Sequence, residues 1–521
     1  MKIGERPVIT LKNIYPLKMD RIEKYKRWLS VAKLDEKPHQ LEGMKFCLEK
    51  ETEERPLYGV RGGIIADEMG LGKTILMLGC IVSNFNGMNG LTNTLVVLPT
   101  ALLDQWTKIF KKFMGHTPLV YHGKNVKSIS KGSLENASIV ITTYGMIAAD
   151  KKGGSPLWNI QWNRLIMDEA HHVRNMNSGH YRGAKKIKAD IKWLVTGTPI
   201  QNSKGDLYSL CSVLGLKTAL YANPANIKSI IKYHLLRRTK KDVGIKLPPL
   251  IDEQILVPWE SEEEESLARQ IHSRAHFSAV HVTNVDDIIR DMTNHPLLMF
   301  TRARQICTFP HLLHLAVKKM QKEGNLPRNA NLKKIDTCSK ATAVSNHIIK
   351  RCYNKRRKIV FCHYRGEIDL ICALLRKRGI GVGAVDGRTS KKDRNSFLDA
   401  SVTQEEFGSV CKKWNNKNFV YDFIKPYISP DVIVVQIQTA SEGLNLQHFK
   451  EVYFTSPHWN PAVEDQAIAR AHRIGQNEKV NVFRFIMEDF KISDEEYGLS
   501  LDNYCCQVQL KKRELVEILK Q

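Results

Sequence analysis

The stretch from Arg61 to Thr74, RGGIIADEMGLGKT, carries the residue types that a polyphosphate needs. It reads as a short buried strand (Gly63-Ile64-Ile65-Ala66), a tight loop from Asp67 to Gly72, and the first turn of a helix bearing Lys73 and Thr74. A glycine-bearing loop can turn its backbone N–H groups onto a phosphate, and a helix N-terminus adds partial positive charge. Lys73 is spaced to reach β- and γ-phosphates, and the Thr74 hydroxyl to ligate Mg²⁺. The generic phosphate-loop pattern has glycine where this chain has Asp67. Taken alone, the match competes with a chance Gly-Lys-Thr at a helix start.

A second chemical group follows at Asp168-Glu169-Ala170-His171. Two adjacent carboxylates after a buried strand divide their work. Asp168 at the strand end can hold Mg²⁺, usually through water, and Glu169 can orient or deprotonate an attacking water. The competing structural reading is an acidic pair favoured by a helix dipole. Gln40 lies just upstream of the phosphate loop, where a side-chain amide could read an adenine edge by paired hydrogen bonds; a surface glutamine is the plainer reading.

These residues need a scaffold that brings them to one edge. Short apolar strands are expected at 94–98, 138–142, 164–167 and 192–195, alternating with helical patterns. That alternation predicts an α/β fold with parallel sheets flanked by helices. In such sheets ligands gather at the carboxyl ends of the strands. The phosphate loop, Thr143-Tyr144, Asp168-Glu169 and Thr196-Gly197-Thr198-Pro199 all follow strands directly. A second α/β lobe is expected from strands at 358–363, 382–385, 431–436 and 480–487.

Composition limits the setting. A chain of 521 residues is too long for one core, and about two to four domains are expected. No run approaches the ~18 apolar residues of a membrane helix, so no membrane partner is expected. Eleven cysteines form no C-x-x-C pair, which argues against structural zinc and for reduced thiols. The formal charge of +25 favours a polyanionic partner, with nucleic acid the leading candidate, although solubility alone is the blander reading.

Asp67-Glu68-Met69-Gly70-Leu71-Gly72-Lys73-Thr74, Asp168-Glu169-Ala170-His171 and Leu194-Val195-Thr196-Gly197-Thr198-Pro199-Ile200-Gln201-Asn202 together resemble the SNF2 family of DNA-dependent ATPases in helicase superfamily 2. That family uses aspartate at the position of Asp67. Leu95-Val96-Val97-Leu98-Pro99-Thr100 with Gln105-Trp106 looks like a second family motif. Leu236-Arg237-Arg238-Thr239-Lys240-Lys241-Asp242-Val243 resembles a segment typical of SNF2 proteins and foreign to ordinary RNA helicases. The resemblance spans about residues 35–495. It implies two RecA-like lobes with an ATP cleft between them, and ATP and Mg²⁺ as cofactors. Double-stranded DNA is the implied track, with translocation rather than strand separation.

Gln466, Arg470 and Arg473 fall at i, i+4 and i+7 after Asn460-Pro461, so one helical face is expected to carry them. The family's Gln-x-x-x-Arg-x-x-Arg motif implies that the two arginines are fingers for the transferring phosphate; a surface salt-bridge helix is the alternative. By the same resemblance Thr198, Gln201, Gln466 and Gly443 couple the lobes, although Ser441-Glu442 departs from the family's glycine-rich pattern. Thr143, Tyr144 and Thr389 are candidates for DNA contacts. The expected organisation is an N-terminal extension (1–34), an ATP-binding lobe (35–250), a helical inter-lobe region (251–335), a C-terminal lobe (336–495) and a helical tail (496–521). Lys355-Arg356-Arg357-Lys358 is either part of a solvated linker and helix face or a phosphate contact or nuclear address. The size resembles compact, virus-encoded global transactivators of the family, which would place the protein in a nucleus, acting in transcription or DNA repair with chromatin or transcription factors. A strand-separating DEAH-type helicase and a non-catalytic DNA-binding scaffold remain the alternatives.

Overall fold

Runs of β-branched and aliphatic residues set both sheets. The computed structural model of the chain describes residues 19–84, 93–150, 153–201, 203–274, 296–322, 335, 337–390, 432–440, 446–491 and 497–517. The chain divides into two units between Lys246 and Leu247.

The first unit holds strands β1 (Arg61–Ile65), β2 (Thr94–Leu98), β3 (Leu119–Tyr121), β4 (Ile139–Thr143), β5 (Gln161–Asp168), β6 (Lys188–Val195) and β7 (Leu235–Leu236). They form one seven-stranded sheet in the order β3-β4-β2-β5-β6-β1-β7. Every neighbouring pair is parallel. Alternate residues feed two cores, one on each face. Ile65, Val96, Ile141, Ile166 and Trp193 pack on one side, and Ile64, Val97, Val140, Leu165 and Leu194 on the other. Burial on both faces is why these strands read as continuous apolar runs. The Pro38–Thr52 helix is pinned to the sheet by Glu51, whose carboxylate accepts from Arg164 Nε and Nη2 at 2.8 and 2.7 Å and from Trp193 Nε1 at 2.7 Å.

The second unit holds β8 (Leu250–Val257), β9 (Lys358–Cys362), β10 (Val382–Val385), β11 (Val432–Gln436), β12 (Glu451–Phe454) and β13 (Val480–Met487). The order is β10-β11-β9-β12-β13-β8, again wholly parallel. Two cores flank this sheet as well. The region read from sequence as a helical connector therefore begins with a strand, which pairs along its whole length with β13. The helix Glu262–Arg274 follows. Glu264 is buried and accepts from the Ser339 hydroxyl at 2.7 Å. The tail helix Leu501–Glu517 lays Leu501, Tyr504, Cys505 and Val508 into the same core. The basic run at 355–358 is split by the fold: Lys358 is fully buried, 3.5 Å from Glu451. The aromatic and basic stretch at 402–428 lies outside the described residues.

Candidate functional site

The phosphate loop begins where β1 ends. Asp67 is buried, and the loop closes through Gly70 and Gly72, both in the left-handed region at φ +92° and +86°. The left-handed φ is what calls for glycine at position 72; a Cβ there would also lie 2.1 Å from Gln40 Nε2, the movable end of that side chain. Gln40 is buried and donates to the Leu71 carbonyl at 3.4 Å, as does His39 Nε2 at 3.2 Å. That carbonyl can only accept, so His39 carries its proton on Nε2, and burial lowers its pKa. The Pro38–Thr52 helix thus braces the loop and brings Gln40 beside it.

Lys73 and Thr74 open the Lys73–Ser83 helix. Lys73 Nζ donates to the carbonyl of Asp67 at 2.7 Å and to that of Glu68 at 3.4 Å. The ammonium is therefore seated on the main chain of its own loop. A Cβ on Gly197 would lie 2.9 Å from Met69 Cε and 3.6 Å from Lys73 Nζ, so the turn after β6 runs close beside the loop.

Asp168 is the last residue of β5. Its Oδ2 accepts from Trp106 Nε1 at 2.8 Å, its Oδ1 from the Glu169 N–H at 3.0 Å, and its carbonyl from the Tyr144 hydroxyl at 2.7 Å. Burial, and then the Glu169 charge, push its pKa up to about 6, while the Trp106 hydrogen bond and the Lys73 charge act in the other direction. Glu169 takes the left-handed conformation at φ +51°, an uncommon state for a non-glycine residue that marks a turn held by its surroundings. Its carboxylate lies 3.4 Å from His171 Nδ1, which is also 3.4 Å from Thr196 Oγ1.

A chain of hydrogen bonds continues from there. Thr198 N donates to Thr196 Oγ1 at 3.1 Å, and Gln201 Nε2 to Thr198 Oγ1 at 2.8 Å. Gln201 Oε1 accepts from Arg174 Nη1, and its N–H reaches Asp206 Oδ2 at 2.8 Å. The first unit therefore gathers Gln40, the loop from Asp67 to Thr74, Asp168, Glu169, Thr198 and Gln201 at the carboxyl ends of its strands.

The oxygen donors suit a hard divalent cation. Asp168 and Thr74 supply a carboxylate and a hydroxyl. Asp168, buried, and the half-buried Glu169 beside it also repel each other, an electrostatic excess that such a cation would relieve. Mg²⁺ fits these residues.

Other expectations are changed by the structure. Tyr144 is buried, with its hydroxyl spent on Asp168, and burial raises its pKa well above the phenol range. Thr143 is buried with its hydroxyl 3.2 Å from His122 Nδ1. Thr389 is buried and accepts from the Asp386 N–H at 3.0 Å. All three serve the interior of their strand-end turns, so they are poorly placed to meet a DNA backbone. In the second unit the helix with Gln466 and Arg470 spans Pro461–Ala471 and stops before Arg473. His472 leaves helical geometry at φ −96°, ψ 82°, and its Nε2 is 2.7 Å from the Pro248 carbonyl. Arg473 thus lies in a turn, not on the helical face, yet burial and then the Arg470 charge lower its pKa, so the two guanidinium groups sense each other. Gln466 is buried. Gly443 lies outside the described residues.

Sequence reasoning named Trp106 in a family motif and Tyr144 as a DNA contact, gave Arg174 no place, and missed that all of them support this site. Trp106, Tyr144, Arg174 and Arg238 hold functional residues from distant points in the chain. The Leu236–Val243 segment marked the last of them as noteworthy without indicating a task.

Comparison with known proteins shows the family of the chain. A family model described as the SNF2-related domain matches residues 39–312, and one described as the helicase conserved C-terminal domain matches residues 339–475. An uncharacterised ATP-dependent helicase of Mycoplasma genitalium is 28% identical over 501 residues, covering 92% of this chain and 42% of that protein. The chain thus spans about two fifths of that relative's length. A probable global transactivator of Orgyia pseudotsugata multicapsid polyhedrosis virus is 26% identical over 477 residues, covering 87% of this chain and 86% of that protein. The solved Sulfolobus solfataricus SWI2/SNF2 ATPase core with double-stranded DNA matches at 24% identity and a TM-score of 0.38, covering 87% of this chain and 88% of that one.

Proposed function

This chain belongs to the SNF2 family, and from that premise we propose that it is an ATP-dependent motor that translocates along double-stranded DNA. The observation that carries the reading is the convergence of Lys73, Gly197, Asp168 and Glu169 at one sheet edge. Phosphoanhydride hydrolysis needs those groups: a cradle and cation for the phosphates, a carboxylate for a metal, and a second carboxylate for water.

In this reading Gln40 recognises the adenine, and the loop from Asp67 to Gly72 with Lys73 holds the phosphates. Thr74 and Asp168 hold Mg²⁺, which neutralises charge on the phosphate oxygens when bound. Glu169 orients the attacking water and takes its proton. Arg470 and Arg473 are proposed to stabilise charge on the transferring phosphate, a contribution of ~10³–10⁵ in rate in other nucleotide hydrolases. Thr198, Gln201, Gln466 and Gly443 are proposed to couple hydrolysis to movement. The hydrogen-bond chain from His171 through Thr196 and Thr198 to Gln201 supports the first two.

The charge of +25 supports a sequence-independent, salt-sensitive grip on the DNA backbone. The viral relative's name supports a role in transcription, and a zebrafish relative named DNA excision repair protein ERCC-6-like supports one in repair. Either role would place the protein in a nucleus, on chromatin or with transcription factors.

The test is ATP hydrolysis by the full chain without nucleic acid, with single strands and with duplex, using Glu169→Gln as the blank. Strong stimulation by duplex, followed by triplex displacement, is the expected result. Stimulation by single strands alone would instead support a strand-separating helicase, and no hydrolysis under any condition a DNA-binding scaffold.

A further inference from the structure

Asp67 has both carboxylate oxygens taken up by Arg238. Its Oδ1 accepts from Arg238 N at 2.9 Å and Nε at 3.1 Å, and its Oδ2 from Arg238 Nη2 at 2.6 Å. The next residue is held in the same manner. Glu68 Oε2 accepts from Lys240 N at 2.7 Å, and Oε1 pairs with Lys240 Nζ at 2.7 Å. The backbones also run together. Ala66 N donates to Leu236 O at 2.7 Å and Glu68 N to Arg238 O at 2.8 Å, so the β1–β7 ladder continues beyond both strands into the loop.

This matters because of what the same two residues do with their carbonyls. Both receive Lys73 Nζ. Any rotation of the Asp67 or Glu68 peptides would carry the ammonium with it. The two carboxylates also stand beside the place where a polyanion must bind. An uncompensated carboxylate there would repel the phosphates. One cation per carboxylate removes that repulsion, and Arg238 adds a planar fork that fixes direction as well as charge. Lys240 also lies along the loop itself, with Cε 3.8 Å from where a Cβ on Gly70 would be.

We infer that Arg238 and Lys240 are positioning residues of the nucleotide site, holding the acidic shoulder Asp67-Glu68, and through it Lys73, in the shape and charge state that accepts a nucleoside triphosphate. The inference rests on the ATP-binding part of the function proposed above and needs no claim about DNA. It also gives the aspartate at position 67 a task that glycine could not perform.

The experiment is equilibrium binding of a fluorescent ATP analogue with Mg²⁺ to the full chain without DNA. Wild type, Lys240→Ala, Glu68→Ala, the double variant and Arg238→Lys are compared, with thermal midpoints recorded. Lys240→Ala leaves Glu68 uncompensated and weakens binding ~10-fold, whereas Glu68→Ala in that background restores it to within ~3-fold of wild type. A lysine that merely packs would give additive losses, not rescue. Arg238→Lys keeps the charge, loses the fork and also weakens binding ~10-fold. If Lys240→Ala lowers the midpoint by more than ~5 °C, Lys240→Gln replaces it under the same criterion.

Binding by Lys240→Ala and Arg238→Lys within twofold of wild type, or a double variant no better than Lys240→Ala, overturns the inference. Failure of the wild type to bind ATP overturns both this inference and the proposed function. ATP binding with the expected rescue, but hydrolysis indifferent to duplex DNA, sinks the translocase reading alone.

Discussion

Trp106 Nε1 donates to Asp168 Oδ2 at 2.8 Å, with the indole buried. The bond leaves Oδ1 turned toward the Glu169 N–H, so the orientation of the strand-end carboxylate is fixed from the Leu103–Met114 helix. It also favours the ionised form, against the burial that raises the pKa to about 6. Trp106→Phe keeps most of the packing and removes the donor. We expect Mg²⁺-dependent ATP hydrolysis to fall ~10–100-fold, the usual cost of losing a partner of a metal-ligating group. The loss should shrink at saturating Mg²⁺ if orientation for the metal is the cause. Steady-state kinetics over a Mg²⁺ series check this, and an unchanged Mg²⁺ dependence would count against it.

The strands that carry the motifs were legible because both faces of each are buried, which writes them as short apolar runs between polar turns. The five bearing the phosphate loop, Thr143-Tyr144, Asp168, Thr196 and the second-lobe centre at 358–362 all stand where the pattern puts them. β8 was not legible, because LIDEQILV is the edge strand of its sheet, largely exposed, with three polar residues in a row. β12 is four residues long and opens on Glu451, which is tolerable in the interior only because Arg351 and Lys358 reach it. Neither partnership is visible in local sequence. The same limit applies to the site. Spacing reveals Lys73 and Thr74 because they act from one helix start. It cannot reveal Arg238, whose contact with Asp67 joins residues far apart in the chain. Nor does helical periodicity announce that His472 will end its helix on the Pro248 carbonyl and carry Arg473 into a turn.

Glu169 stands in the left-handed region immediately after Asp168, its carboxylate 3.4 Å from His171 Nδ1. This turn aims its side chain differently from that of its neighbour, which lets two adjacent carboxylates hold different tasks. Replacing Glu169 by glutamine removes the proposed base and keeps the shape. Hydrolysis should fall ~10²–10⁴-fold, the usual range for losing a general base. Nucleotide affinity, measured by the same fluorescent analogue, should stay within ~3-fold of wild type. A large loss of affinity would assign Glu169 to binding instead.

His272 is buried in the second unit, with Nδ1 2.6 Å from the Ala268 carbonyl and Nε2 3.6 Å from Cys307 Sγ. The neutral ring satisfies both contacts, with Nδ1–H donating to the carbonyl and Nε2 accepting from the thiol. Burial lowers its pKa from 6.5 to about 4 and pushes that of Cys307 up. The folded state therefore resists a proton that the unfolded chain takes readily. Stability from this group is fully present above pH ~6.5 and is lost as pH falls toward ~4. Between pH 7 and pH 5 the loss is about 2 kcal/mol. Urea unfolding at those two pH values should show it for wild type, and His272→Phe should reduce the difference by that amount. An equal difference in both proteins would show that His272 does not contribute.

Glu51 ties the helix that braces the phosphate loop to β5 and β6, with its carboxylate shared among Arg164, Trp193 and Asn84. Arg164 is fully buried, so this ion pair has no water to fall back on. Removing one partner leaves a buried charge and is worth about 3–5 kcal/mol, whereas removing both can be far less costly. Glu51→Gln should destabilise the first unit by about that amount. Glu51→Leu combined with Arg164→Met should recover part of the loss. Recovery stops short of complete because the buried Trp193 indole N–H loses its acceptor, at about 1–3 kcal/mol, whereas Asn84 still donates to the Cys80 carbonyl. Urea midpoints with their slopes decide the matter. A double variant no more stable than Glu51→Gln would mean that the pair holds the helix by geometry that apolar packing cannot replace. ATP affinity should then fall in step with stability, because Gln40 stands on the same helix as Glu51.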